Sequence, residues 1–157
     1  MMRFLFDTNI LVAYLRSAPL STIIENELNI TNSQNIVMIS SVTKGELMAF
    51  ALNNNWGEKR KEKLNELLNK IFILDINASD NALFEAYAEI DSYSQNKLLN
   101  QPLPQGQNAV KMGKNDLWIA ATTKISGATL ITTDGDFDHL RTKINLIKYK
   151  PDGTRVF

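Results

Sequence analysis

Residues 3–16 read RFLFDTNILVAYLR. Arg3–Phe6 is a short apolar run of strand type, and Thr8–Arg16 follows it as a helix. Asp7 stands between them, directly after the strand. The same alternation recurs down the chain. A helix is expected from about Pro19 to Asn29, with Pro well placed in a first turn. Ile36–Ser40 is a second strand and Val42–Asn54 a helix, with Gly57 as its stop. Glu58–Lys70 is a charged amphipathic helix that turns Leu64, Leu67, Leu68 and Ile71 inward. Ile71–Asp75 is a third strand, and Ser79 caps a helix running to about Gln95. Leu98–Met112, with two Pro and one Gly, reads as a long loop. Asn115–Ile125 is a helix ended by Gly127, followed by a fourth strand at Ala128–Thr132. After a short helical turn, Asn145–Tyr149 is a fifth strand. Strands alternating with helices argue an α/β fold with a mostly parallel sheet.

At 157 residues, with 44% hydrophobic and 22% charged, the chain suits one packed domain. Lys plus Arg is 17 and Asp plus Glu is 17, so bulk charge drives no polyanion binding and a nucleic acid needs a local patch. The absence of Cys excludes disulfides and thiolate metal sites, and one His excludes a polyhistidine site. No apolar run approaches the ~20 residues of a membrane span. Asp7 and Asn9 interrupt the N-terminal apolar stretch, against a signal peptide. A soluble cytoplasmic protein is expected.

In open parallel sheets, ligands sit beyond the carboxyl ends of the strands. Acids gather there. Asp7 follows the first strand, and Glu46 lies early in the helix after the second. Asp116 opens the helix leading into the fourth strand; Asp134 follows that strand, with Asp136 close behind. Carboxylates gathered without Lys or Arg partners repel one another, and a hard cation is the usual reason to tolerate them. Mg²⁺ or Mn²⁺ suits such oxygen ligands; zinc does not. Each acid also has a local role to offer. Asp7 can cap the first helix, Thr43 and Glu46 match a capping box, Asn115 or Asp116 can cap theirs, and Asp134-Gly135 is turn chemistry.

Other motifs fail. Asp134, Asp136 and Asp138 imitate the start of a calcium loop, but His139 takes the place of its Gly and Asn145 that of its bidentate Glu. Gly106 to Lys114 is too long for a phosphate loop. His139 is expected at the surface, and the basic run Lys59–Lys63 as a solvated helix face. Trp56 is the interface candidate, whereas Trp118 is expected inside.

Four blocks together resemble the PIN-domain family, most closely its VapC-like toxin branch. They are FLFDTNILVAYL with Asp7, Thr8 and Asn9; SSVTKGELMAF with Glu46; GKNDLWIAATT with Asp116; and LITTDGDF with Thr132, Asp134, Asp136 and Phe137. They occur in the family's order over essentially the whole chain. The resemblance implies a single domain over residues 1–157, a PIN-like three-layer α/β/α sandwich, and a Mg²⁺- or Mn²⁺-dependent ribonuclease. It also implies a toxin neutralised by a small cognate antitoxin, and a homodimer. Asp7, Glu46, Asp116 and Asp134 would then be catalytic. Asp7 and Asp116 would ligate the metal most directly, Glu46 and Asp134 would hold coordinated waters or a second ion, and Asp136 would support them. Thr8, Asn9 and Thr132 would hydrogen-bond the carboxylates or bound water. Lys114 and Lys44, beside acids, would meet the phosphates of the RNA.

Two other classes compete. A non-catalytic module would keep the scaffold and bind RNA or protein without cutting, but a scaffold alone needs none of the four acids. A haloacid-dehalogenase-type phosphatase needs a second Asp two residues after the first, where Asn9 stands. Ribose and deoxyribose are not distinguished, because no reader of the 2′-hydroxyl stands out.

Overall fold

The computed structural model describes all 157 residues. Five strands, β1 (Arg3–Phe6), β2 (Ile36–Ser40), β3 (Phe72–Leu74), β4 (Thr129–Thr132) and β5 (Asn145–Lys148), form one sheet in the order β3-β2-β1-β4-β5. Every pairing is parallel. Six α-helices cover it: α1 (Thr8–Leu15), α2 (Pro19–Leu28), α3 (Ser41–Asn53), α4 (Glu58–Asn69), α5 (Asn81–Ser94) and α6 (Lys114–Ser126). A 3₁₀ segment, Gly135–Leu140, follows β4.

Side chains alternate across a strand, and the central strands sort into two cores accordingly. Phe4, Phe6, Ile39 and Ile131 point into one, packed by α1 to α4 through Ile10, Leu11, Ile24, Leu47 and Leu64. Leu5, Met38 and Leu130 point into the other, against α5 and α6 through Ile90, Leu117 and Ala121. β1 is thus buried on both faces, which is why its run carries no polar alternation. The result is a three-layer α/β/α sandwich.

The chain winds outward from β1 to β2 and β3, then returns to place β4 on the other side of β1. The order reverses between β1 and β4. In sheets of this kind, ligands bind at that switch point, beyond the strands' carboxyl ends. The long loop after α5 has no regular structure, yet it is tied down. Val110 N–H donates to Ser94 O at 2.7 Å, and Leu103 and Met112 are buried.

Local expectations were changed in five places. α3 is capped by Ser40, whose hydroxyl accepts from Val42 N–H, so Thr43 is not the cap; it is buried and its Oγ1 has no partner. No capping box forms, and Glu46 is free for other contacts. Gly57 does not stop α3 but opens α4, because Asn54 and left-handed Asn55 already end the helix. Asp80, not Ser79, caps α5, since the Ser79 hydroxyl is turned to Asn77 Oδ1. Trp56 is 8% exposed, edge-on to Phe50, while Trp118 is only half-buried against Phe84 and Tyr87. Trp56 is thus a core residue, while Trp118 packs against the edge of the other core. His139 is also inside, because the 3₁₀ segment turns its ring toward α5, where Nε2 lies 2.7 Å from the buried Ser94 Oγ.

Candidate metal centre

Asp7 is held first by its backbone, whose N–H extends the sheet by donating to Ile131 O at 3.0 Å. Its side chain is buried at the switch point, 4% exposed. Oδ1 accepts from Thr8 N–H at 2.7 Å, which makes Asp7 the cap of α1. Oδ2 accepts from Thr132 Oγ1, also at 2.7 Å. That hydroxyl, at the end of β4, itself accepts from Asp134 N–H at 2.9 Å. One threonine therefore joins the residues that follow the two strands flanking the switch point.

Glu46 reaches the centre from α3. Thr8 Oγ1 donates to its Oε2, and Asn115 Nδ2 donates to Oε1 at 2.9 Å. Asn115 had stood out in the sequence only as a possible helix cap. Its position beside Asp116 in a first turn was the available signal. Gly113 takes the cap position of α6. A Cβ there would lie 3.0 Å from Asp116 Oδ2, so a larger residue would crowd that carboxylate. Asp134 caps the 3₁₀ segment through Asp136 N–H, and Asp136 is exposed.

The carboxylates feel one another. Burial pushes Asp7 from 3.8 up to about 6, opposed by the bonds from Thr132 and Thr8 and assisted by Asp134 and Glu46. Burial likewise pushes Asp116 up to about 6, with repulsion from Asp7, Asp134, Asp136 and Glu46 behind it. All five acids named from the sequence therefore meet in one electrostatic neighbourhood. The three ion pairs of the chain lie elsewhere, at Lys61–Glu58, Lys124–Glu89 and Lys148–Asp138. No protein cation neutralises the cluster. Oxygen donors without a paired cation are the donor set of a hard divalent ion. As they stand, no three of them close tightly around a common point.

The remaining sequence candidates divide. Thr8 and Thr132 bond to the acids as described. Asn9 is exposed on α1 and makes no bond to them, because the helix turns it outward. Lys44 and Lys114 are exposed at the starts of α3 and α6 and pair with none of the five acids.

Residues 4–143 match the PIN-domain family model, and the chain belongs to the PIN-domain family. Its structure resembles VapBC2 from Rickettsia felis, solved bound to a DNA fragment from their promoter. That similarity has a TM-score of 0.72 at 24% identity, covering 95% of this chain and 100% of that one. VapBC-1 from nontypeable Haemophilus influenzae is similar at a TM-score of 0.70 and 22% identity, covering 94% and 98%. A toxin–antitoxin complex from Klebsiella pneumoniae is similar at 0.60 and 22%, covering 93% and 98%. No curated protein is a significant match to the sequence.

Proposed function

We propose that this PIN-domain protein is a Mg²⁺- or Mn²⁺-dependent endoribonuclease and the toxin of a VapBC-like toxin–antitoxin pair. The observation that carries the reading is the cluster itself. Asp7, Glu46, Asp116 and Asp134, with Asp136 beside them, come from separate segments to one neighbourhood without a compensating cation. Family membership and the likeness to VapBC proteins support it.

In this reading Asp7 and Asp116 hold the metal, Glu46 and Asp134 hold bound waters or a second ion, and Asp136 supports them. When bound, the ion acidifies a water and neutralises phosphate oxygens. The reaction is hydrolysis. A water oxygen bonds to phosphorus, the bridging P–O bond breaks, and the leaving oxygen takes a proton. Thr132 and Thr8 fix both oxygens of Asp7 by hydrogen bonds, so that carboxylate is oriented before substrate arrives. Thr8 and Asn115 do the same for Glu46. Asn9, exposed on α1, has no part in this arrangement. Lys44 and Lys114, exposed and unpaired with the cluster, receive the phosphates on either side of the cut.

The partners proposed are an RNA substrate, a small cognate antitoxin and a second copy of the chain, all in the cytoplasm. No helix is long and apolar enough to cross a membrane. A second reading, a non-catalytic RNA- or protein-binding module on the same scaffold, is favoured by the open spacing of the carboxylates. One experiment separates the two. Purified protein is incubated with a mixed pool of structured RNA, with Mn²⁺ or Mg²⁺ and with chelator, beside Asp116→Asn. Cutting that needs both the metal and Asp116 supports the nuclease. Absence of both cutting and metal binding in a folded protein supports the module.

A further inference from the structure

A second recess lies away from the acidic centre. Leu15, Arg16, Asn54, Trp56, Arg60 and Lys63 line a cavity of about 370 Å³. It lies where α1 and α3 end and α4 begins. Three of its six lining residues are cations and none is an acid. In a chain with 17 basic and 17 acidic residues, that concentration is local, not a consequence of composition. None of the three cations pairs with a carboxylate. Lys63 is anchored, donating to Leu15 O and Ser17 Oγ at 3.0 Å each. That contact accounts for one cation at a helix end. It leaves the guanidinium groups of Arg16 and Arg60 without such a role. Arg16 lies over the Phe50 ring, its carbon 5.7 Å from the centroid, which restrains it at the rim.

We propose that this cavity binds a backbone phosphate of the RNA strand outside the cleaved bond, held by Arg16 and Arg60. The proposal rests on the ribonuclease reading and adds a second contact to it. Guanidinium groups bond phosphate oxygens in a fixed fork, and Leu15 and Trp56 give the cavity an apolar part of its wall beside them. Two helices give the distance. α1 begins at Asp7 and reaches Arg16 nine residues later, about 13 Å at 1.5 Å per residue. α3 carries Glu46 and reaches Asn54 eight residues later, about 12 Å. α1, capped by Asp7, and the stretch of α3 from Glu46 onward both run from the acidic centre toward the basic cavity. That span is about four nucleotides of a stacked strand at 3.4 Å each, and fewer if the strand is extended. The cavity therefore anchors RNA a few nucleotides from the cut, where the net-neutral surface offers no general attraction.

The test is binding of a short labelled single-stranded RNA to the full chain in chelator, followed by fluorescence anisotropy across a salt series. Wild type is compared with Arg16→Gln/Arg60→Gln. The variant is expected to bind about tenfold more weakly. Its salt dependence should be shallower by about 1.4 in the log–log slope, the value for two lost phosphate contacts on a single strand. Mn²⁺ binding, read by calorimetry, should be unchanged, which shows that the acidic centre is intact. Unchanged affinity and slope would overturn the proposal. So would a loss of binding to an oligoglutamate peptide with RNA binding retained, which would assign the cavity to an acidic protein segment. Failure of wild type to bind or cut any RNA would instead fell the ribonuclease reading. Cutting by wild type with an unaffected double variant would fell only the cavity assignment.

Discussion

Replacing Asp7 with Asn should stabilise the metal-free protein at neutral pH and lose that advantage in acid. Asp7 ionises near 3.8 when unfolded and near 6 when folded, chiefly because it is buried. That displacement is worth about 3 kcal/mol between its protonated and ionised forms. Between those two pH values the unfolded chain releases its proton first. Stability therefore falls as pH rises through the window and stays low above it. Asn does not titrate, so the variant gains on wild type by about 2.5 kcal/mol between pH 4 and pH 7.5. The substitution also has a cost. Asn keeps an acceptor for Thr8 N–H but gives up the second carboxyl oxygen that accepts from Thr132, a loss of about 1 kcal/mol. Removing the charge also relieves Asp116, which adds in the same direction. Buried His139, held below its usual value by burial, pulls wild-type stability the other way in acid. The difference between variant and wild type isolates Asp7 from it. Urea unfolding of both proteins in chelator at the two pH values gives the result. A difference that does not change with pH, or that favours wild type more as pH rises, would refute the burial argument.

Three further outcomes follow from the geometry. Thr132→Val removes the donor to Asp7 and the acceptor of Asp134 N–H, so it should cost about 2 kcal/mol in urea unfolding; the Asp7 carboxyl should titrate still higher by NMR. Gly113→Ala suits the extended backbone there but presses on Asp116 Oδ2, so calorimetry should show Mn²⁺ affinity falling about tenfold, 1.4 kcal/mol, with little change in thermal stability. His139→Ala severs the tie to Ser94 and leaves a cavity between the 3₁₀ segment and α5, so it should cost about 2 to 3 kcal/mol by thermal unfolding.

The strands and the order of elements were legible because buried parallel strands carry continuous apolar runs, and these end at turn residues. All five expected strands form, with ends shifted by at most a residue or two. The approach of the five acids was legible too, because each stands beside a strand end or in the first turns of a helix. What the linear pattern could not supply was the partner of each polar group. Glu46 matches a capping box with Thr43, yet a helix capped by Ser40 sends it to Thr8 and Asn115. His139 looks like surface in a run of acids, yet a hydroxyl 45 positions away in sequence draws it inside. Trp56 follows three asparagines, but the turn they make folds it back onto Phe50. In each case a contact remote in sequence outweighs the local signal.

The bond between Thr132 and Asp7 joins residues 125 positions apart. During synthesis β1, β2 and β3 can pair in the order they emerge, but one edge of β1 waits open until Thr129–Thr132 arrives to pair with it. An unpaired central edge is a site of mispairing, and its closure is the non-local, slow step of such a topology. A chain cut short before β4 retains Asp7, Glu46 and Asp116 but lacks Thr132, Asp134 and Asp136. The acidic centre therefore comes into being only after β4 has emerged and shut the sheet.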